Sequence, residues 1–199
     1  MRKKEAKRLL DLLGWEPCGE RPEATKYVLI AAPHTSNWDL PISLLIASYF
    51  EVDVAWLGKK SLFDPPLGWL LKRLGGIAVD REARHDMVKY CADLLKSREH
   101  LALMIPAEGT RGHTEHWKSG FYWIAHEAGV PIVCARLDYK KKQSGFGAVI
   151  HTTGNVKADM DKIRAFYADA HALYPENFGP VRLRDEVSNR REPPGAKGD

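Results

Sequence analysis

Apolar and polar positions along this chain alternate between the spacing of strands and the spacing of helices. Short, largely apolar runs at residues 27–32 and 101–105 are typical of strands that are buried on both faces. The pattern predicts helices over residues 1–15, 39–50, 65–74, 84–97, 121–128 and 159–174, and strands over 27–32, 52–57, 75–79, 101–105, 131–137 and 148–151. Strands that alternate with helices indicate an α/β fold with a mostly parallel or mixed sheet flanked by helices.

The first predicted helix, residues 1–15, is basic and amphipathic. Its apolar positions Ala6, Leu9, Leu10 and Leu13 follow helical spacing, and the cationic side chains crowd its first eight residues. A basic amphipathic helix can lie in an anionic membrane interface. It can equally cap the core and keep its charged face in water. The pattern leaves both interpretations open.

Length and composition limit the remaining organisation. The 199 residues, with 44% hydrophobic and 28% charged residues, fit one globular domain over 16–181, followed by a charged tail over 182–199 that we expect to be flexible. The three cysteines form no C-x-x-C pair, which favours a reducing compartment and argues against a disulfide framework. The longest mostly apolar run, about 11 residues, is shorter than the ~20 that span a bilayer. We therefore expect no transmembrane helix. The basic N-terminus is followed by only a short amphipathic segment, so we expect no secretory signal either.

Candidate chemistry first appears between the strand at 27–32 and the following helix. Four residues separate His34 from Asp39, which places them about 140° apart on a regular helix, too far to pair. If His34 lies in the loop and Asp39 lies at the helix start, the carboxylate can accept one ring N–H and leave the other nitrogen free as a base. Alternatively, Asp39 is a helix cap and His34 an ordinary loop residue.

Two basic segments follow at other strand ends, where ligands usually bind in open α/β sheets, and a third precedes a helix. Arg81 follows the predicted strand 75–79, and its guanidinium suits a phosphate or carboxylate, although an arginine there can simply be solvated. The turn Glu108-Gly109-Thr110-Arg111 combines a glycine with an acid and a base; it suits an anion, or it is a tight turn closed by a Glu108–Arg111 pair. Lys118 precedes a predicted helix start, which either binds an anion or is capped by Ser119.

Two further clusters carry weaker signals. His113 and His116 have a spacing compatible with metal binding, but no other cluster of ligands supports a metal site, and a solvated loop is the alternative. The basic run 140–142 is predicted to be a turn between strands that can also touch acidic lipid or a carrier protein. The net charge of +4 accompanies no nucleic-acid recognition motif, so we expect no nucleic-acid partner.

Taken in order, these segments resemble the four sequence blocks of the glycerophospholipid (lysophospholipid) acyltransferase family. The blocks are His34-x4-Asp39, Gly76 to Arg81, Glu108-Gly-Thr-Arg111 and Val130-Pro-Ile132, within residues 27–137. Two positions depart from the family pattern. Ala107 separates Pro106 from Glu108, and Cys134 stands where the fourth block usually has a second proline. Neither departure removes a polar catalytic group, but each can alter the acceptor pocket.

The resemblance implies a glycerolipid acyltransferase-like fold and the transfer of a fatty acyl group from a thioester to a hydroxyl. His34 would be the general base and Asp39 the residue that orients it. The acceptor, a lysophospholipid such as 1-acylglycerol-3-phosphate or another lipid alcohol, would be bound by Arg81, Glu108, Gly109, Thr110 and Arg111, with Lys118 as a weaker candidate. Acyl-CoA or acyl-carrier protein would be the co-substrate. Because a thioester is already activated, the chemistry needs neither a metal nor a further cofactor.

Such an enzyme would act at a membrane surface, and we expect a cytoplasmic, peripheral protein at the inner face of the membrane. Apolar residues around Trp56, Leu57 and the run 67–71 would line an acyl groove, unless they belong to the core. Two other functions use the same residues. A thioesterase would direct the His34–Asp39 pair at water, and a lipid- or phosphate-binding module would have kept the fold without the chemistry.

Overall fold

The computed structural model describes residues 3–79, 87–184 and 186. In this part of the chain six α-helices flank a sheet of seven strands. The helices are α1 (Lys3–Leu12), α2 (Asp39–Tyr49), α3 (Gly68–Arg73), α4 (Met87–Ser97), α5 (Gly120–Ala128) and α6 (Val156–Tyr167). The strands are β1 (Glu16–Cys18), β2 (Lys26–Ala32), β3 (Val54–Lys59), β4 (Gly76–Val79), β5 (Leu101–Ile105), β6 (Ile132–Asp138) and β7 (Gln143–Ile150). The predicted α/β fold with a mixed sheet is confirmed.

The sheet has the strand order β1-β7-β6-β2-β5-β3-β4. Strands β6 and β7 pair antiparallel, and the other neighbouring strands pair parallel. Strands β2, β3, β5 and β6 therefore all end at the same edge of the sheet. The loops that follow these strands meet there, which is where open α/β sheets usually bind ligands.

The core lies on both faces of the sheet because the central strand β2 is buried over most of its length and largely apolar from Tyr27 to Ala32. Val28 and Ile30 pack on one face with side chains of α4, α5 and α6, whereas Tyr27 and Leu29 pack on the other with residues from α2 and β3. This alternation follows from the two-residue period of a strand. The edge at which β2, β3, β5 and β6 end therefore lies between two layers of helices.

The N-terminal helix α1 packs on α2 with one apolar stripe. Ala6 and Leu10 are fully buried, while Leu9, Leu12 and Leu13 remain exposed. The helix ends before Gly14, whose positive φ of 72° terminates it as glycine commonly does. The helix α1 therefore caps the core through Ala6 and Leu10, which is one of the two interpretations that the sequence pattern leaves open.

Strand β1 was not predicted, and β7 begins earlier than the predicted strand 148–151. Strand β1 is short and contains Pro17, which is tolerated because the strand lies at the sheet edge. The early part of β7 is glycine-rich, and the glycines are needed for close packing. A Cβ at Gly145 would lie 1.7 Å from the Cys18 carbonyl oxygen, and one at Gly147 would lie 2.0 Å from the Phe166 ring.

The predicted helix 159–174 is wrong at both ends, since α6 spans Val156–Tyr167. The side chain of Asn155 caps its start by accepting the Ala158 N–H at 3.1 Å. After α6 the chain turns back over the sheet edge, where the backbone N–H of Tyr139 donates to the His171 carbonyl at 2.8 Å. The first tail residues are packed, because Leu183 is buried and the Trp117 N–H donates to the Arg182 carbonyl at 2.8 Å.

The other predicted elements are confirmed with shifts of a few residues. The starts of the predicted helices at 1 and 84, and residues 185 and 187–199 of the predicted tail, lie outside the described residues. Across the described ranges, no helix is both long enough and apolar enough to cross a bilayer.

Candidate active site

His34 and Asp39 meet at the carboxyl edge of the sheet. His34 lies in the loop after β2, and Asp39 is the first residue of α2. Their side chains pair with Nδ1 of His34 3.1 Å from Oδ2 of Asp39. The loop folds back as the sequence hypothesis required, and Asp39 is not an N-cap, since that position is Trp38. A carboxylate on Nδ1 keeps the proton there, and no described residue engages Nε2, so this nitrogen is available as a base.

Asp39 is fixed by donors on both carboxylate oxygens. The backbone N–H of Ser36 donates to Oδ2 at 2.8 Å, and the Tyr139 hydroxyl donates to Oδ1 at 2.6 Å. Asp39 is only 2% exposed, so these bonds replace the water it lacks. Burial, and then the hydrogen bond to Asp39, raises the pKa of Tyr139 well above its usual value, so the hydroxyl remains a donor. The carboxylate is therefore held in one orientation towards His34.

Sequence reasoning missed Tyr139. It follows β6, which ends at the same sheet edge as β2, and the strand-end rule that selected His34 applies to it equally. Its distance of 100 residues from Asp39 along the chain hid the contact.

Glu108 contacts the loop after β2 instead of pairing with Arg111. The backbone N–H of His34 donates to Glu108 Oε1 at 2.9 Å. The carboxyl is 2% exposed, and its Oε2 has no hydrogen-bond partner in the described chain. Burial raises the pKa of Glu108 to about 7, although the His34 N–H opposes the shift. Glu108 thus ties the turn after β5 to the backbone of His34.

We expect Glu108→Gln to change how stability depends on pH. A pKa raised from 4.5 to about 7 favours the protonated carboxyl in the folded state. The free energy of unfolding of the wild type therefore falls as the pH rises from the pKa of Glu108 in the unfolded chain to its pKa in the folded protein. The total loss is about 3 kcal/mol. Glutamine cannot ionise and should remove this loss. Urea unfolding at pH 5 and pH 8 checks it, and an equal pH dependence in both proteins would contradict it.

A cavity of about 710 Å³ opens beside the pair, a volume in the usual range of small-molecule sites. His34, Asn37, Thr110 and Arg111 supply its polar wall. The apolar lining comes from α2 and from β3 to α3, with contributions from β2 and β5: Ala31, Leu40, Trp56, Leu57, Leu62, Leu71 and Met104. The predicted groove residues Trp56, Leu57 and Leu71 therefore lie at the cavity, whereas Leu67 and Trp69 are exposed.

The other predicted binding residues are brought to this edge, with one exception. Gly109, Thr110 and Arg111 line the cavity, and the Arg111 guanidinium donates to the Asn37 side chain. Gly109 has a φ of 71°, and a Cβ there would lie 2.8 Å from Lys118 Cγ, so Lys118 packs directly behind this turn. Ser119 does not cap α5.

The exception is Arg81, which lies outside the described residues, so the structure does not place it relative to the cavity. In the ranges 3–79 and 87–184, no group of three or more histidine, cysteine, aspartate or glutamate side chains is arranged to hold a metal ion.

The arrangement defines a class of enzyme site. A histidine oriented by a buried carboxylate can remove a proton from a hydroxyl. Beside it lie an apolar cavity and an arginine suited to an anion. The chain is an α/β protein with a histidine–carboxylate pair at the carboxyl edge of its sheet.

Comparison with known proteins agrees with this class. The chain belongs to the Acyltransferase family, whose model matches residues 19–138, and it is an acyltransferase. The resemblance carried by the four sequence blocks is thereby confirmed. A search of curated proteins finds no match.

A solved structure shows the same fold. The 1-acyl-sn-glycerophosphate (LPA) acyltransferase PlsC from Thermotoga maritima is similar to this chain with a TM-score of 0.54 and 18% identity. The similarity covers 76% of this chain and 68% of that one. At this identity the likeness concerns the architecture of the sheet and its helices.

Proposed function

We propose that the protein transfers a fatty acyl group from a thioester, acyl-CoA or acyl-carrier protein, to a hydroxyl of a lysophospholipid such as 1-acylglycerol-3-phosphate. The observation that carries this proposal is the His34–Asp39 pair, 3.1 Å apart, at the wall of a largely apolar cavity. The family supplies the reaction class, and the similar enzyme from Thermotoga maritima acts on a 1-acyl-sn-glycerophosphate.

His34 acts as the general base. Its Nε2 accepts the proton of the acceptor hydroxyl while the oxygen attacks the thioester carbonyl carbon. Asp39 stabilises the imidazolium that forms, because its carboxylate is negatively charged and accepts a hydrogen bond from the Nδ1–H. The tetrahedral intermediate then expels the thiolate, and the imidazolium returns the proton to sulfur. The atoms balance without a covalent enzyme intermediate, and a metal or further cofactor has no step to perform.

The acceptor binds with its phosphate towards Arg111 and its chain in the apolar part of the cavity. Arg111 is on the polar wall, close to Asn37, and a guanidinium fork matches phosphate oxygens. Thr110 and Gly109 line the same wall. Glu108 shapes it through the His34 backbone rather than by touching the ligand. Arg81 and Lys118 are proposed to add positive charge.

A mass-spectrometric acceptor screen tests the reaction. Purified protein receives palmitoyl-CoA, or palmitoyl-carrier protein in a parallel set, with a panel of lysophospholipids and other lipid alcohols. An acylated product that disappears with His34→Ala supports the proposal and identifies the acceptor. Free fatty acid without an acylated product would show a thioesterase. Lipid binding without turnover in either set would show a binding module.

We further propose that the protein is peripheral, on the cytoplasmic face of the membrane, and docks through residues 59–74, here named the docking segment. Leu62, Leu67 and Trp69 are 52%, 61% and 68% exposed. Cationic side chains flank these apolar residues, and one acidic residue accompanies them: Lys59, Lys60, Lys72, Arg73 and Asp64. Apolar tips within a basic surface suit an anionic lipid interface. Leu62 and Leu71 also line the cavity, so a docked lipid would enter from the bilayer.

The double variant Leu67→Ser/Trp69→Ser should bind vesicles of phosphatidylglycerol and phosphatidylcholine at least ten-fold more weakly. Inserting each large apolar side chain contributes on the order of 1.5 kcal/mol, and 1.4 kcal/mol corresponds to a factor of ten. Sedimentation with vesicles measures the binding. Leu9→Ser/Leu12→Ser, at exposed positions of α1, is the matched control. Loss of binding in the α1 variant alone would assign docking to α1 instead.

A further inference from the structure

A second pocket lies between the turn after Arg111 and the start of α5. Its volume is about 480 Å³, and its lining is mostly polar. His113, His116, Lys118 and Arg184 are among the side chains that line it. None of them touches the His34–Asp39 pair, so the proposed reaction does not explain their convergence. We call this the basic pocket.

The charge of the basic pocket is not balanced by its own residues. Its one acidic lining residue, Glu115, accepts from Arg182 at 2.7 Å and lies 3.0 Å from the His113 ring nitrogen. Both contacts lower the pKa of Glu115, and the contact with His113 has the larger effect. Lys118 and Arg184 have no acidic partner within the described ranges. Arg182 neutralises the charge of Glu115, so the positive charges of Lys118 and Arg184 remain unbalanced at one concave surface.

Unused N–H donors accompany these cations. Helix α5 begins at Gly120 without a side-chain cap. The Tyr122 N–H donates to the Ser119 carbonyl at 3.0 Å, so the N–H groups of Gly120 and Phe121 are the ones left without an acceptor in the described part of the chain, at the positive end of the helix dipole. Trp117, another lining residue, is 2% exposed, and its indole Nε1 has no acceptor among the described residues. A buried donor without an acceptor is costly. Cations together with free N–H groups are the chemistry of a phosphate site.

The basic pocket adjoins the active-site cavity. Gly109 lines the cavity, and Lys118, which lines the basic pocket, packs against it closely enough that a Cβ at Gly109 would lie 2.8 Å from Lys118 Cγ. The stem of Lys118 therefore forms part of the wall between the two spaces. A substrate with a phosphate remote from its reacting group can place that phosphate on the far side of this wall.

We propose that the basic pocket binds a phosphate monoester of a substrate, with Arg184 and Lys118 as its charged contacts. Two substrates of the proposed function carry this chemistry. One is the 3′-phosphorylated nucleotide of a coenzyme A donor, to which the cavity assigns no residue; the other is the glycerol phosphate head of the acceptor, which would then bind here and not at Arg111. Only the choice of probes rests on that function. The pocket itself rests on the charge and donors of residues 113–120 and 184.

Isothermal titration calorimetry with adenosine 3′,5′-bisphosphate and, separately, glycerol 3-phosphate tests the proposal on the full-length protein. One of the probes should bind the wild type and should bind Arg184→Gln about ten-fold more weakly, the loss expected for one charge-assisted hydrogen bond. The control is Arg98→Gln, which removes the same charge from an exposed position of the chain after α4. It should bind as the wild type does. The probe that responds identifies the source of the phosphate.

His116→Gln is a second variant, for use if Arg184→Gln unfolds at a lower temperature than the wild type. Failure of both probes to bind at millimolar concentration would overturn the proposal. So would binding that neither variant weakens. Because the readout is equilibrium binding, it does not depend on acyl transfer. A protein that binds adenosine 3′,5′-bisphosphate through Arg184 but transfers no acyl group would refute the proposed function and support the pocket.

Discussion

His34→Ala is expected to lower kcat for acyl transfer by about 10³-fold, in the range that general bases contribute. The hydroxyl of a lipid alcohol is a weak nucleophile near neutral pH, and His34, at the wall of the cavity, is the proposed base. Steady-state kinetics with the acceptor found in the screen measure the loss. Added imidazole should restore part of the rate, because the alanine leaves space beside Asp39.

The fold should tolerate this change. The His34 side chain is 23% exposed, and the bond to Glu108 uses the backbone N–H, which alanine retains. The thermal unfolding midpoint should therefore shift by no more than a few degrees, as for the loss of one hydrogen bond of about 1 kcal/mol. A folded His34→Ala protein that keeps a tenth or more of the wild-type kcat would remove His34 from the mechanism.

The sequence predicted the position of the site because the relevant residues follow apolar strands directly. The strand 27–32 was recognisable by its composition, and His34 comes immediately after its end. Parallel strands with helical crossovers end at one edge, so the turn at 108–111 was expected at the same place. The structure brings both turns together at the bond between the His34 backbone and Glu108.

The role of Glu108 could not be predicted in the same way. An acid three residues before an arginine in a glycine-containing turn suggests a local ion pair. The observed burial depends on how the turn after β5 packs under the loop after β2, which is a tertiary property. Tyr139 illustrates the same limit, since its bond to Asp39 depends on the register of β6 beside β2.

Strands β1 and β7 escaped prediction for a different reason. Strand propensity is carried by β-branched and aromatic side chains, whereas the start of β7 contains Gly145 and Gly147. Side chains would not fit at these two positions, because the Cys18 backbone lies against Gly145 and the Phe166 ring lies against Gly147. A sequence pattern shows the glycines, but it does not show the elements that pack against them.

Asp39→Asn is expected to lower kcat by about 10³-fold with little change in KM, by analogy with loss of the carboxylate from a serine hydrolase triad. An asparagine presents an NH₂ group to at least one of the donors that now reach the carboxylate, from Ser36, Tyr139 and His34. In either orientation of the amide the imidazolium loses the negative charge that stabilises it, and with the NH₂ group facing Nδ1 the imidazole also loses its fixed tautomer. Thermal unfolding is measured alongside, because a mismatched buried donor costs about 1–3 kcal/mol.

The decisive comparison is the double variant His34→Ala/Asp39→Asn. If Asp39 acts only through His34, the double variant should be no slower than His34→Ala, since residues of one catalytic unit are strongly non-additive. Multiplied losses would instead show that Asp39 acts independently of His34. Tyr139→Phe is the graded control. It removes one donor to Oδ1 but keeps the 3.1 Å contact between Oδ2 and His34, so kcat should fall by only about ten-fold. A Tyr139→Phe protein as slow as Asp39→Asn would mean that the orientation of the carboxylate, rather than its charge, limits the reaction.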